Sequence, residues 1–120
     1  AVAAARKNIA AAQADFSEMT PLEVLGGDLR SFRPNAPFHE LYANLPFGVR
    51  VGDGDEAETL YAKLIARLDE YLLPGGFALL YTTRRASVER HAKRSGWKIG
   101  DAMRFSAGGL SPWGLILTRR

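Results

Sequence analysis

The spacing of hydrophobic residues changes several times along the chain between a helical and a strand period. Near the start, apolar residues recur every three or four positions, which predicts a helix from the first residues to about Phe16. Apolar runs then predict short strands at residues 22–25 and at about residues 40–43. The strongest helix prediction comes from one apolar stripe, formed by Leu60, Tyr61, Leu64, Ile65, Leu68, Tyr71 and Leu72.

The boundaries of this long helix are also indicated by the sequence. Asp55 and Glu58 have the spacing of a capping box at its start. Pro74-Gly75-Gly76 ends it, and the unbroken apolar run Phe77–Tyr81 predicts a strand that is buried on both faces of a parallel sheet. A shorter helix is predicted at about Ser87–Ser95.

The last third of the chain has the two-residue period of a strand. Trp97, Ile99, Met103 and Phe105 alternate with polar or small residues, which predicts a strand with one covered face. A glycine-rich turn and a final apolar strand at residues 113–118 would complete an antiparallel hairpin. Helices that alternate with strands, followed by a hairpin, indicate an α/β sheet.

Composition narrows the possible chemistry. A chain of 120 residues makes one ordinary domain. It has no cysteine, which excludes disulfides, cysteine zinc sites and thiolate nucleophiles. Its two histidines, His39 and His91, lie in different predicted elements, so we expect no metal site, and we expect His91 to be solvated. No apolar window has the length of a membrane span, so a soluble, cytoplasmic protein is expected.

The two halves of the chain carry opposite charge. Residues 1–60 hold 5 basic and 9 acidic side chains, and residues 61–120 hold 11 basic and 4 acidic ones. The basic half is the candidate for binding phosphate groups, or else it presents an ordinary solvated helix face. Its densest segment contains Arg84, Arg85, Arg90, Lys93, Arg94 and Lys98.

Candidate chemistry lies where the predicted strands end, because ligands of open α/β sheets bind beyond the carboxyl ends of the strands. The first strand is followed by Asp28, which either accepts hydrogen bonds from a ligand or caps its own loop. The second is followed by Asn44, with Pro46 and Phe47 close behind. A rigid turn with free acceptors and an aromatic ring could hold a nucleobase by its exocyclic amine. The alternative is a plain turn with a hydrophobic anchor.

The run Asn44-Leu45-Pro46-Phe47-Gly48-Val49-Arg50, followed by a long helix and Leu73-Pro74-Gly75-Gly76, resembles the catalytic domain of class I S-adenosylmethionine-dependent methyltransferases. Within that superfamily it is most similar to the RNA guanine-N2 methyltransferases that are joined to a THUMP domain. The chain departs from many of them at Leu45, where they have proline. The resemblance implies a Rossmann-like methyltransferase sheet, mostly parallel with a C-terminal antiparallel hairpin, and S-adenosylmethionine as cofactor.

The resemblance also implies roles for individual residues. The catalytic tetrad would be Asn44, Leu45, Pro46 and Phe47, acting on the exocyclic amine of guanine in tRNA or rRNA. Asp28, Leu29 and Asn44 would contact the cofactor. Phe47 would stack on the base, and Arg50 would either hold the tetrad loop or contact an RNA phosphate. Independently of the resemblance, the basic segment that begins with Arg84 and Arg85 would contact the RNA backbone.

The family's first two strands and its glycine-rich cofactor loop would precede Ala1. We therefore expect residues 1–120 to be the C-terminal portion of a single catalytic domain, lacking those two strands and completed by an N-terminal segment or a partner chain. Two alternatives stay open. The enzyme could methylate adenine amines or protein glutamine, or the chain could be a non-catalytic, methyltransferase-like module that binds RNA.

Overall fold

The structure is a computed structural model, and it describes residues 2–15, 22–23, 25–29, 31–46 and 53–119. These residues form two compact units, Ala1–Ser31 and Phe32–Arg120. In chain order the helices and strands are α1 (Val2–Asp15), β1 (Phe38–Asn44), α2 (Asp53–Ala66), α3 (Leu68–Tyr71), β2 (Leu72–Thr82), α4 (Arg85–Arg94), β3 (Trp97–Arg104) and β4 (Trp113–Arg119).

The first unit contains α1 and the segment that follows it. Four positions of the predicted apolar stripe, Val2, Ala5, Ile9 and Ala12, are half-buried, while most other positions of α1 are exposed. The strand predicted at residues 22–25 is wrong for the residues of this segment that are described. Leu22 is 49% exposed and Leu25 is 57% exposed, and neither belongs to a strand. An apolar run forms a strand only where a neighbouring strand takes up its backbone hydrogen bonds.

The second unit contains a four-stranded sheet in the order β1-β2-β4-β3. β1 and β2 are parallel, and β4 is antiparallel to both β2 and β3. The predicted C-terminal hairpin is therefore confirmed, with its second strand placed between β2 and β3. Among the described strands, β1 has a neighbour on one side only.

The core lies on one face of this sheet. Ala78 and Leu80 of β2 alternate with half-buried residues and are fully buried beside Leu115 and Leu117 of β4. The helices contribute further buried side chains to this core, among them Tyr61, Leu64, Ile65, Leu68 and Val88. The apolar stripe predicted for the long helix is thus the buried one, although the helix is broken at Arg67 between α2 and α3. In the described part of the chain, no helix is long and apolar enough to cross a membrane.

The opposite face of the sheet is only partly covered. Phe77, Leu79 and Tyr81 of β2 are half-buried, so the prediction of a strand buried on both faces is wrong. A bulge in β3, between Ile99 and Ala102, also moves Met103 to the opposite face from Ile99. One extra residue reverses the side on which every later side chain lies, so the simple alternation predicted for this strand fails there.

β2 begins five residues earlier than the sequence predicted. Leu72 already pairs with Phe38, and the register then shifts before Phe77 pairs with Glu40. The shift is absorbed by the Pro-Gly-Gly segment. Gly75 has φ +84°, and a Cβ on Gly76 would lie 2.7 Å from the His39 carbonyl oxygen, so both positions require glycine.

Candidate functional site

The turn that follows β1 carries the predicted tetrad. Asn44 is the last residue of β1, is exposed, and pairs in register with Tyr81 of β2. The Leu45 backbone N–H donates a hydrogen bond to the Tyr81 carbonyl at 2.9 Å, and Leu45 is 3% exposed. A proline here would have no N–H to donate. The departure from the family pattern at Leu45 therefore gives the turn a hydrogen bond to β2.

The next peptide group of the turn is held from α2. The Tyr61 hydroxyl donates to the Pro46 carbonyl and also contacts the Thr82 hydroxyl at the end of β2. The Thr82 hydroxyl accepts a hydrogen bond of 2.9 Å from the backbone N–H of Arg84. Tyr61 and Thr82 are both fully buried. Burial raises the pKa of Tyr61 above its ordinary value, so the phenol remains a hydrogen-bond donor at neutral pH.

A groove of about 380 Å³ lies beside the turn. It is lined by Tyr42, Ala43, Asn44, Leu79 and Tyr81. The Tyr42 hydroxyl donates to Glu40 at 2.9 Å, and this bond raises the pKa of Tyr42. The ring of Phe105 meets that of Tyr81 edge-on, with centroids 5.7 Å apart. The groove therefore combines aromatic walls with one exposed amide, that of Asn44, at the carboxyl end of a parallel strand.

Four predicted site residues lie either outside the described residues or in the first unit. Phe47 and Arg50 lie outside the part of the chain that the structure describes. Asp28 and Leu29 belong to the first unit, where the Asp28 carbonyl accepts a hydrogen bond of 3.0 Å from the Ser31 N–H. Their assignment to the RNA or the cofactor stays a prediction.

Two of the three arginines predicted to contact RNA, Arg84 and Arg85, form ion pairs with other side chains of this protein. Arg84 forms an ion pair with Glu58 at 3.3 Å and is half-buried. Arg85 pairs with Glu89 at 2.6 Å, and its guanidinium carbon lies 4.3 Å from the centroid of the Trp113 ring. A role in RNA binding stays a prediction for both.

Glu58 forms a polar cluster with α4 in place of the predicted capping box. Asp55 is already inside α2, whereas the Glu58 carboxylate accepts hydrogen bonds from the Ser87 hydroxyl at 2.7 Å and from Arg90. His91 Nε2 lies 2.9 Å from the same carboxylate, and the side chain of His91 is 11% exposed. The predictions of a capping box and of a solvated His91 are both wrong, because α4 packs against α2 and supplies better partners.

These contacts change the acidity of Glu58. The hydrogen bond from Ser87 is the largest cause, and burial opposes it. His91, Arg90 and Arg84 lower the pKa further, to about 2 from an ordinary 4.5. The carboxylate is therefore charged throughout the physiological range and joins α2 to α4.

Sequence reasoning missed Tyr61 and Thr82 as residues of the site. The periodicity placed Tyr61 in the core as one apolar position among several. A buried phenol nevertheless needs a hydrogen-bond partner, so its position in the stripe was a signal that polar contacts lie beneath α2. The identity of the partner depends on the packing of α2 over the turn, which periodicity does not give.

The fold is shared with solved methyltransferases. TrmN from Thermus thermophilus is 24% identical, with a TM-score of 0.71 over 97% of this chain and 32% of that one. A possible methylase from Clostridium difficile 630 is 21% identical, with a TM-score of 0.60 over 78% of this chain and 23% of that one. A putative DNA modification methylase, also from Thermus thermophilus and solved in complex with S-adenosyl-L-methionine, is 13% identical, with a TM-score of 0.53 over 78% of this chain and 51% of that one.

The chain thus spans about a third of the TrmN chain and about a quarter of the Clostridium methylase. These likenesses show a Rossmann-like methyltransferase fold. No curated protein sequence matches the chain. Residues 1–112 match the family UPF0020, described as RMKL-like, methyltransferase domain. Because this match includes nearly the whole sequence, the chain belongs to the RMKL-like methyltransferase domain family.

Proposed function

We propose that the protein containing this chain is a cytoplasmic, S-adenosylmethionine-dependent RNA methyltransferase that modifies the exocyclic amine of guanine in tRNA or rRNA. The observation that carries the proposal is the exposed amide of Asn44, which stands beside an aromatic groove on a turn fixed by hydrogen bonds on both sides. Membership of a methyltransferase family supports the reaction type.

In this proposal the groove would hold the reactive end of the cofactor. Its volume of about 380 Å³ is at the lower end of small-molecule pockets, which span roughly 300–1,000 Å³. The faces of Tyr42 and Tyr81 are suited to a cation, because aromatic rings attract positive charge. Asn44 would contact this end, and Asp28 and Leu29 would hold the adenine. S-adenosylmethionine, when bound, supplies an electrophilic methyl group on a sulfonium centre.

The chain's own residues would prepare the amine for attack. Its lone pair is delocalised into the guanine ring and must be localised on nitrogen before it can react. The Asn44 side-chain oxygen would accept one N–H of the amine and the Leu45 carbonyl the other. The Pro46 carbonyl already accepts from Tyr61, which favours Leu45 as the second acceptor. Phe47 would stack on the base. These groups work by position and electrostatics, and no strong base is needed.

Charge supports RNA as the substrate. Residues 61–120 have a large excess of basic side chains, and Lys93, Arg94 and Lys98 are exposed. Cations on one surface attract a phosphate backbone without regard to sequence. Arg50, Arg84 and Arg85 would add further contacts to the RNA. An additional strand, from an N-terminal segment or a partner chain, would pair with the open edge of β1 and complete the sheet.

The test is transfer of a labelled methyl group to unmodified tRNA and rRNA transcripts by the protein containing this chain, followed by nucleoside analysis. The expected product is N2-methylguanosine. Asn44→Ala should lower kcat by about 10²-fold or more and leave cofactor affinity unchanged, because it removes an acceptor used in the transition state. Label found in adenine would make adenine the target in place of guanine, and label found in a glutamine peptide supplied in a parallel assay would make protein the substrate. Failure to bind S-adenosylmethionine would favour a non-catalytic RNA-binding module.

A further inference from the structure

We propose that Tyr61 is a positioning residue for methyl transfer. Its hydroxyl, connected to Thr82, fixes the turn so that the acceptors of Asn44 and Leu45 meet the substrate amine. This inference rests on the proposed function and goes beyond it, because the family resemblance assigns no role to a residue of α2.

The hydrogen bonds around Tyr61 run in one direction. The Arg84 backbone N–H can only donate, and the Pro46 carbonyl can only accept. Tyr61 has a single hydroxyl proton, which goes to Pro46, so the Thr82 hydroxyl must donate to Tyr61. Each hydroxyl then donates once and accepts once. The chain of bonds crosses from the start of α4, through the end of β2 and α2, to the turn.

The end of this series of hydrogen bonds at Arg84 is itself held in place. The side chain of Arg84 pairs with Glu58 at 3.3 Å, and Glu58 accepts a hydrogen bond of 2.7 Å from Ser87. Both contacts join α2 to the segment that begins α4. The backbone N–H of Arg84 is thereby held next to Thr82.

The bonds lie on both sides of the peptide group that matters for catalysis. The peptide before Leu45 is held because its N–H donates to Tyr81, and the peptide after Pro46 is held because its carbonyl accepts from Tyr61. Between them lies the Leu45–Pro46 peptide, whose carbonyl is the proposed second acceptor. If either flanking bond is lost, this peptide can rotate and move its oxygen. A displacement of about 1 Å can cost about 10²-fold in rate.

Tyr61→Phe tests this role, because it removes the hydroxyl and keeps the ring in the core. We expect kcat on the RNA substrate to fall by about 10- to 100-fold while the Kd for S-adenosylmethionine stays unchanged. Thr82→Val should lower kcat in the same way, and Thr82→Ser, which keeps the hydroxyl, should restore it. Tyr71→Phe is the matched control. Tyr71 is 2% exposed, and its hydroxyl donates to the Phe32 carbonyl at 3.0 Å, far along the chain from the turn.

A second measurement does not depend on activity. The Leu45 amide should exchange its hydrogen with solvent faster in Tyr61→Phe than in the unmodified protein, because the turn has lost one of its two fixed points. In Tyr71→Phe the exchange of this amide should not change. Mass spectrometry of the peptide that contains Leu45 gives this rate in the whole protein.

Three results would overturn the proposal. The first is unchanged exchange of the Leu45 amide in Tyr61→Phe. The second is an equal fall of kcat in Tyr61→Phe and Tyr71→Phe, which would indicate general destabilisation, and the third is full turnover in Tyr61→Phe. Asn44→Ala, measured alongside, separates this failure from that of the proposed function. If Asn44→Ala keeps full turnover, the proposed function fails, whereas full turnover in Tyr61→Phe alone removes only the positioning role.

Discussion

The carboxylate of Glu58 should make the stability of the fold depend on acid pH. It accepts hydrogen bonds from Ser87, His91, Arg90 and Arg84, and its pKa is lowered to about 2. In the unfolded chain the pKa returns to about 4.5. The folded state therefore binds this proton more weakly than the unfolded state. The stabilisation is complete above pH 4.5 and is lost as the pH falls toward 2.

The size of the effect follows from the shift. A difference of about 2.5 pKa units corresponds to about 3 kcal/mol at 1.36 kcal/mol per unit. The side chain of Glu58 is 29% exposed, and solvent screening reduces the contribution. We therefore expect Glu58→Gln to lower the free energy of unfolding by about 1 to 2 kcal/mol at pH 7.

Urea denaturation of the protein and of Glu58→Gln, repeated from pH 7 down to pH 2, measures this contribution. The difference between their free energies of unfolding should shrink below pH 4.5 and nearly disappear at pH 2. Glu89→Gln is the matched control, because Glu89 pairs with Arg85 on the surface of α4 and should change stability by at most about 0.5 kcal/mol. A difference that stays constant from pH 7 to pH 2 would refute the assignment of this stabilisation to the Glu58 charge.

Two further variants test the fold and the basic surface. Gly76→Ala places a Cβ 2.7 Å from the backbone oxygen of His39. It should reduce the free energy of unfolding, measured by thermal or urea denaturation, by about 1–3 kcal/mol. Unchanged stability would contradict the close approach of β1 and β2 at this point. Charge reversal at Lys93 and Arg94 should weaken RNA binding at low salt and have little effect at high salt, because salt screens charges on the surface. The measurement is the Kd for RNA as a function of salt concentration. An unchanged Kd at low salt would show that this surface does not bind RNA.

Much of the second unit could be predicted from sequence because its elements are long and strongly periodic. The stripe that includes Tyr61, Leu64 and Ile65 is buried as the spacing predicts, and the final hairpin has the expected strands. The bulge before Ala102 could not be predicted, because a single extra residue leaves composition and apparent alternation almost unchanged while reversing the faces. The early start of β2 could not be predicted either, because Pro74 and the two glycines that follow it are typical of a loop and not of a strand.

The candidate site could be predicted only for residues that are adjacent in sequence. Asn44, Leu45 and Pro46 lie on one turn at the end of β1, so their proximity follows from the chain itself. The contact between Tyr61 and Pro46 joins residues 15 positions apart, and that between Glu58 and His91 joins residues 33 positions apart. Such contacts depend on how α2 packs over the turn that follows β1 and against α4. Charge alone suggested that the segment from Arg84 was free for RNA, whereas packing engages part of it with Glu58.

The most direct test of the central claim is a crystal structure of the whole protein with S-adenosylhomocysteine and guanosine monophosphate. We expect the exocyclic amine of guanine to lie about 2.7–3.2 Å from the Asn44 side-chain oxygen, with its second N–H directed at the Leu45 carbonyl. A base bound elsewhere in the groove, with its amine beyond hydrogen-bond distance of Asn44, would contradict the proposed role of the turn.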